Sequence, residues 1–124
     1  MKVIRAADRM SADAPSPQGR FFGRAMQNTL HETAEQTRGS FVKFEPGAHN
    51  HWHKHSGGQV PHIMEGSARA QAWGEEVQSL SAGDTAVAPP GEKHWHGAAG
   101  DGPMTQLAVT SGEVTWLEDA TPEV

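Results

Sequence analysis

Gly47-Ala48-His49-Asn50-His51-Trp52-His53-Lys54-His55-Ser56-Gly57-Gly58-Gln59, continuing to Gly66, sets four histidines at alternate positions, and His62 follows. Imidazole is the commonest biological metal ligand and binds as the neutral base. On an extended segment an H-x-H pair places both rings on one face, because strand side chains alternate with period two. Two rings can then reach one ion. Taken alone, the cluster is equally compatible with a run of polar loop histidines. A second stretch, Gly83-Asp84-Thr85-Ala86-Val87-Ala88-Pro89-Pro90-Gly91-Glu92-Lys93-His94, delivers another histidine at the start of its own short strand and tips the reading toward a metal site.

The first stretch has the form G-x5-H-x-H-x3-Q-x6-G on Gly47, His53, His55, Gln59 and Gly66. The second has the form G-x5-P-x-G-x2-H on Gly83, Pro89, Gly91 and His94. In this order and spacing they resemble the two motifs of the cupin superfamily. Gln59 stands where most of that family has Glu, and Ala98 where it often has Asn. Pro89 to Ala98 resembles the small single-domain cupins grouped with carboxymuconolactone decarboxylases, a group that includes manganese-dependent hydroxynitrile lyases sharing the Gln ligand. The resemblance covers about residues 38–119. It implies an all-β fold, a cupin-type (jelly-roll) β-barrel in a single domain. It also implies that His53, His55, Gln59 and His94 hold a divalent metal ion, Mn2+ first, with Fe2+, Zn2+, Ni2+ and Co2+ as alternatives. It leaves the reaction open, since one fold hosts many chemistries.

The 124 residues suit one domain and suffice to bury a core. A net charge of -5 without basic clusters argues against nucleic acid as a partner. With no cysteine, disulfides and thiolate metal sites are excluded. No apolar run approaches the ~20 residues of a membrane helix, so no membrane partner is expected. Residues 1–20 lack an apolar h-region, and a cytoplasmic location is the expectation. The 14 glycines and 8 prolines punctuate many short segments, as in an all-β domain.

The chain divides into an N-terminal arm (1–37), the barrel (38–119) and a tail (120–124). Met1 to Arg5 reads as a short edge strand, Ser11 to Gly19 as a polar connector, and Phe21 to Glu32 as a strand, with a helix also open. The family resemblance implies that such N-terminal strands pair with a second subunit, giving a homodimer or higher homo-oligomer. Ser40 to Glu45 alternates as a strand that Pro46-Gly47 ends. Ser40, Val42 and Phe44 then share one face, which the resemblance places on the pocket side, making Ser40 and Val42 candidates for substrate contact. Val60 to Glu65, a hairpin of Ser67–Trp73 and Glu76–Leu80 around Gly74, a short strand Thr85–Ala88, and Met104–Thr110 continue the sheet. Glu113–Leu117 closes it, and Glu118 to Val124 reads as a mobile acidic tail.

Gln106, Ala108 and Thr110 share a face, adding Thr110 as a substrate contact and Gln106 as a candidate catalytic position. The cyanide-releasing lyases this chain resembles usually carry His where Gln106 stands. His96 shares the face of His94 and is a candidate acid or base, or a packed ring. His49 and His51 read as rim or loop, and His62 as a packing residue. A donor set of three imidazoles and one amide oxygen is neutral and leaves a bound ion's charge available to a substrate oxygen, which favours Lewis-acid work. The expected function is a lyase or isomerase acting on a small hydroxy or carbonyl compound. An iron- and oxygen-using dioxygenase and a non-catalytic small-molecule binder are the alternatives.

Overall fold

The computed structural model describes residues 1–8, 14–15, 20–33 and 36–121. Among the described residues the regular structure is almost entirely strand. The strands are β1 (Ala14–Pro15), β2 (Phe21–Phe22), β3 (Ala25–Glu32), β4 (Thr37–Phe44), β5 (His49–Asn50), β6 (His53–His55), β7 (Gln59–Glu65), β8 (Ser67–Ala72), β9 (Gln78–Ser81), β10 (His94–Ala98), β11 (Met104–Ser111) and β12 (Val114–Trp116). They form two antiparallel sheets. One has the order β1-β3-β4-β11-β7. In the other, β10 is the hub: it pairs with β5 and β6 on one side and with β8 on the other, and β12, β2 and β9 extend it outward.

Period-two burial follows the sequence along the central strands. In β4, Ser40, Val42 and Phe44 are buried; in β11, Met104, Gln106, Ala108 and Thr110 are buried. Val42, Phe44 and Met104 meet Ala25, Ala48, Ile63, Ala68 and Ala98 in one core, with Phe21 and Leu80 packed against it. A second, smaller cluster of Trp52, Trp95 and Ala120 lies elsewhere. The inner face is thus apolar at one end of the barrel and, from Ser40, Thr110 and the histidines onward, polar at the other.

The four motif glycines, Gly47, Gly66, Gly83 and Gly91, all take positive φ. Gly66 is doubly constrained: its φ is 81°, and a Cβ there would collide with the Pro103 carbonyl. Gly97 is required for a different reason. Its backbone lies against Ala48 and His49 of β5, where a Cβ would strike the Ala48 carbonyl and the His49 backbone.

Several segments depart from the expectations. Met1 to Arg5 forms no strand; its side chains are largely exposed, and a 3-10 turn, Ala6–Asp8, follows. No strand among the described residues pairs with it, and exposed chain without such pairing has nothing to hold it extended. Most of Ser11 to Gly19 lies outside the described residues, but Ala14 and Pro15 pair with Met26 and Gln27 of β3. Phe21 to Glu32 is strand, split by Gly23 at φ 75°. Thr85 to Ala88 is not a continuous strand: it touches β7 only through the isolated bridges Gln59↔Ala88 and His62↔Thr85. Pro61 explains this. Its carbonyl accepts from Ala86 N, so its nitrogen, which has no hydrogen, faces the same neighbour and interrupts the ladder. The tail is anchored as far as Ala120, which is buried and whose carbonyl accepts from His49 Nε2 at 2.9 Å. No described helix is long and apolar enough to cross a membrane.

Candidate metal centre

Four histidines from two neighbouring strands converge inside the polar end of the barrel. His53 and His55 come from β6, His94 and His96 from β10, and His94 stands opposite His53 in the pairing. All four are buried. Ring centroids lie 4.4 Å apart for His53–His94, 5.0 Å for His53–His55 and 5.9 Å for His55–His94. The ligand atoms of His53, His94 and His96 all lie within 4.8 Å of one another, which brings His96 into the cluster.

Hydrogen bonds fix which nitrogens face inward. His53 Nδ1 donates to the His51 carbonyl at 2.7 Å, and His94 Nδ1 to the Glu92 carbonyl at 2.9 Å. A carbonyl can only accept, so each neutral ring carries its proton on Nδ1 and turns a bare Nε2 toward the cluster. Burial first, then the neighbouring His94, pushes the pKa of His53 down to about 3 and that of His55 to about 4. Burial lowers His94 as well, and holds His96 well below the ordinary imidazole range. The four rings are therefore free bases at neutral pH, the form in which imidazole ligates metal.

Gln59, opposite Thr110 on β11, completes the set. Its Nε2 donates to Thr110 Oγ1 at 3.1 Å, which turns Oε1 inward, 3.0 Å from both His94 Nε2 and His96 Nε2. The contact with His94 sets two lone pairs against each other, since neither atom carries a proton. A cation between them resolves that repulsion. His96 is held by Asn50, whose Oδ1 accepts from the His96 backbone nitrogen at 2.8 Å and whose Nδ2 lies 3.3 Å from Nε2 and 3.4 Å from Nδ1 of the ring. Both ring nitrogens of His55 are buried and make no hydrogen bond. Converging lone pairs, neutral imidazoles and a buried unpartnered ring together fit a divalent metal ion.

A cavity of about 220 Å³ opens on the cluster. It is lined by His53, His55, Gln59 and His96, by the expected Ser40, Val42, Gln106 and Thr110, and also by Gln27, Arg38, Asn50 and Trp116. This brings the expected substrate-side residues to one place. Gln106 is fully buried and makes no hydrogen bond of ordinary geometry, although its amide faces His96 closely enough to raise that ring's proton affinity slightly. A second cavity, about 280 Å³, reaches His94 and His96 from the side of β8 and β9 and is lined by Pro61, Gln71, Glu75 and Glu92.

The remaining histidines stay out of the cluster. His49 is stacked on Phe22 at 5.1 Å, donates from Nε2 to the Ala120 carbonyl and has Nδ1 3.1 Å from the Gly47 carbonyl, so it is a packed residue rather than a rim residue. His51 lies in the break between β5 and β6, with Nε2 3.4 Å from Asp119. That break shifts the parity, which is why Asn50, and not His49, faces the cavity. His62 Nδ1 meets Thr85 Oγ1 at 2.7 Å on the outside. Arg38 and Asn50 were missed from the sequence. Arg38 was within reach, because it shares the β4 face of Ser40 and Val42.

Residues 40–110 match the Cupin domain family. The chain is a cupin. It is 35% identical over 129 aligned positions to an (R)-mandelonitrile lyase from Granulicella tundricola, spanning 99% of this chain and 97% of that one. A cupin-like protein from Thermotoga maritima superposes with a TM-score of 0.83 at 31% identity, covering 92% of each chain. More distant cupins, a DMSP lyase from Ruegeria pomeroyi (TM-score 0.70, 19% identity, 85% of this chain and 60% of that one) and an acetylacetone dioxygenase from Acinetobacter johnsonii (0.73, 15%, 86% and 72%), share the fold. Their differing activities show how little the cupin barrel alone says about reaction.

Proposed function

We propose that this cupin is a metal-dependent lyase acting on a small hydroxy or carbonyl compound, with His53, His55, Gln59 and His94 as ligands and Mn2+ as the native ion. The observation that carries the reading is the uncharged donor set with its converging lone pairs; the relative that cleaves mandelonitrile supplies the reaction class. A bound divalent ion supplies Lewis-acid polarisation of a substrate oxygen. The chain's own residues do the rest. Gln59 is held by Thr110, so its oxygen stays on the cluster. His55 makes no hydrogen bond of ordinary geometry, so its ring nitrogens are available beside His53 and His94. Ser40 and Thr110 offer hydroxyls to the substrate, and Val42 and Trp116 supply apolar wall. His96, oriented by Asn50, is the imidazole left to move a proton between substrate and solvent. Gln106 can orient a substrate through its amide but, having no basic atom, cannot replace a histidine as base.

The test has two parts. Metal content should approach one equivalent per chain, fall steeply in His53→Ala, His55→Ala and His94→Ala, and stay high in His96→Ala and His62→Ala. Manganese-loaded protein should then turn over a member of a panel of hydroxynitriles, hydroxy acids, keto acids and lactones under anaerobic conditions. Metal loss in His96→Ala with retention in His55→Ala would exchange those two roles; turnover that stops without oxygen would refute the lyase reading.

A further inference from the structure

We infer that the substrate taken into the histidine cavity carries a carboxylate, which Arg38 receives from the β4 wall of the cavity. This rests on the reading of that cavity as the substrate site. Arg38 lines the cavity from β4, half-buried, and stands opposite Thr110 in the β4–β11 register. Among the described residues it is the only charged side chain lining this cavity, and no Asp or Glu joins it there. Its cross-strand neighbour Glu32 makes no ion pair with it and lines a different groove, with Lys2 and Ile4. Its charge is nonetheless felt in the site, since it helps to lower the pKa of His55.

A guanidinium without a carboxylate partner among the described residues, placed on the wall of a small cavity, is a ready receptor for one. Its planar fork matches a carboxylate in bidentate fashion. The flanking groups suit the same ligand. Thr110 already accepts from Gln59, so its hydroxyl proton is free to be donated; the Ser40 hydroxyl sits two residues along the same face as Arg38. At about 220 Å³ the cavity falls below the ~300–1,000 Å³ of sites for drug-sized ligands, so the compound is small. The second cavity has the opposite character: Glu75 and Glu92 stand on its wall, and an anion would be repelled there. On a chain of net charge -5, the histidine cavity is therefore the place an anion is drawn into.

The test compares mandelate with mandelamide, which differ in charge at one group. Binding to the full chain, stripped of metal with a chelator, is measured by NMR titration, so the result does not depend on turnover. Mandelate should bind at least tenfold more tightly than mandelamide. Arg38→Gln should weaken mandelate by about tenfold to a hundredfold and leave mandelamide nearly unchanged. Arg38→Lys, which keeps the charge but not the fork, should fall between. Equal affinity for the two compounds, no measurable binding of mandelate, or a preference that survives Arg38→Gln would each overturn the inference. Metal content and anaerobic turnover test the lyase reading separately, so a failure here is distinct from a failure of that reading.

Discussion

Acid should destabilise the metal-free protein, and His53 shows how much one buried imidazole contributes. In the unfolded chain its imidazole titrates near 6.5; in the fold it stays neutral down to about 3. As pH falls below 6.5 the unfolded state takes up a proton that the folded state refuses. The stability contributed by the neutral ring is thus complete above about pH 6.5 and is lost progressively as pH falls toward 3. Between pH 6.5 and 4.5 the loss is two units at about 1.36 kcal/mol each, or about 2.7 kcal/mol from this one residue. His55, lowered to about 4, acts in the same direction. With a urea slope of about 1–3 kcal/mol/M, this residue alone should lower the midpoint by roughly 1–3 M over that interval. Chelator-treated protein, unfolded in urea at pH 7.5, 5.5 and 4.5, provides the assay. A midpoint that does not move between pH 7.5 and 4.5 would refute the burial of neutral imidazoles on which the metal centre rests.

Gln59→Glu should retain metal, because it keeps an oxygen donor and adds charge, while anaerobic lyase turnover falls as the carboxylate offsets the ion's charge; elemental analysis beside kinetics checks both halves. Gly97→Ala should cost at least about 1–3 kcal/mol, because its methyl meets the β5 backbone, and Tm should fall by roughly 5 °C or more in a thermal melt. Phe44→Ala, at a fully buried core position, should cost about 3–5 kcal/mol in urea unfolding.

Much of the barrel was legible because its signals are local. Alternation marked β4 and β11, the hairpin around Gly74 followed from its turn glycine, and the motif glycines announced turns that only positive φ can make. The paired histidine stretches likewise marked β6 and β10, whose pairing sets His94 against His53. What stayed hidden depends on register and breaks. His49 and His51 share parity with His53 in the sequence, yet the interruption at His51-Trp52 resets the alternation, so Asn50 enters the cavity and His49 is packed away. Pro61 is visible in the sequence, but its effect falls on its neighbour, reducing Thr85–Ala88 to two bridges. The buried carbonyl of Ala120 could not be read from a tail whose composition is acidic, since its anchor, His49, lies 71 positions away.

The indole of Trp116 has a consequence for how this protein can be studied. Its ring centroid lies 4.8 Å from that of His53, in the same cavity wall. The other three tryptophans are placed differently: Trp52 and Trp73 face each other at 5.0 Å, with the Lys93 ammonium over Trp73, and Trp95 is sealed against Gln71. Trp116 is therefore placed to sense the histidine cluster, whereas Trp52 and Trp73 are placed to report on the scaffold. Occupancy of the cluster can be followed by light in the unmodified chain, and a variant that retains only Trp116 would turn the barrel into its own optical sensor.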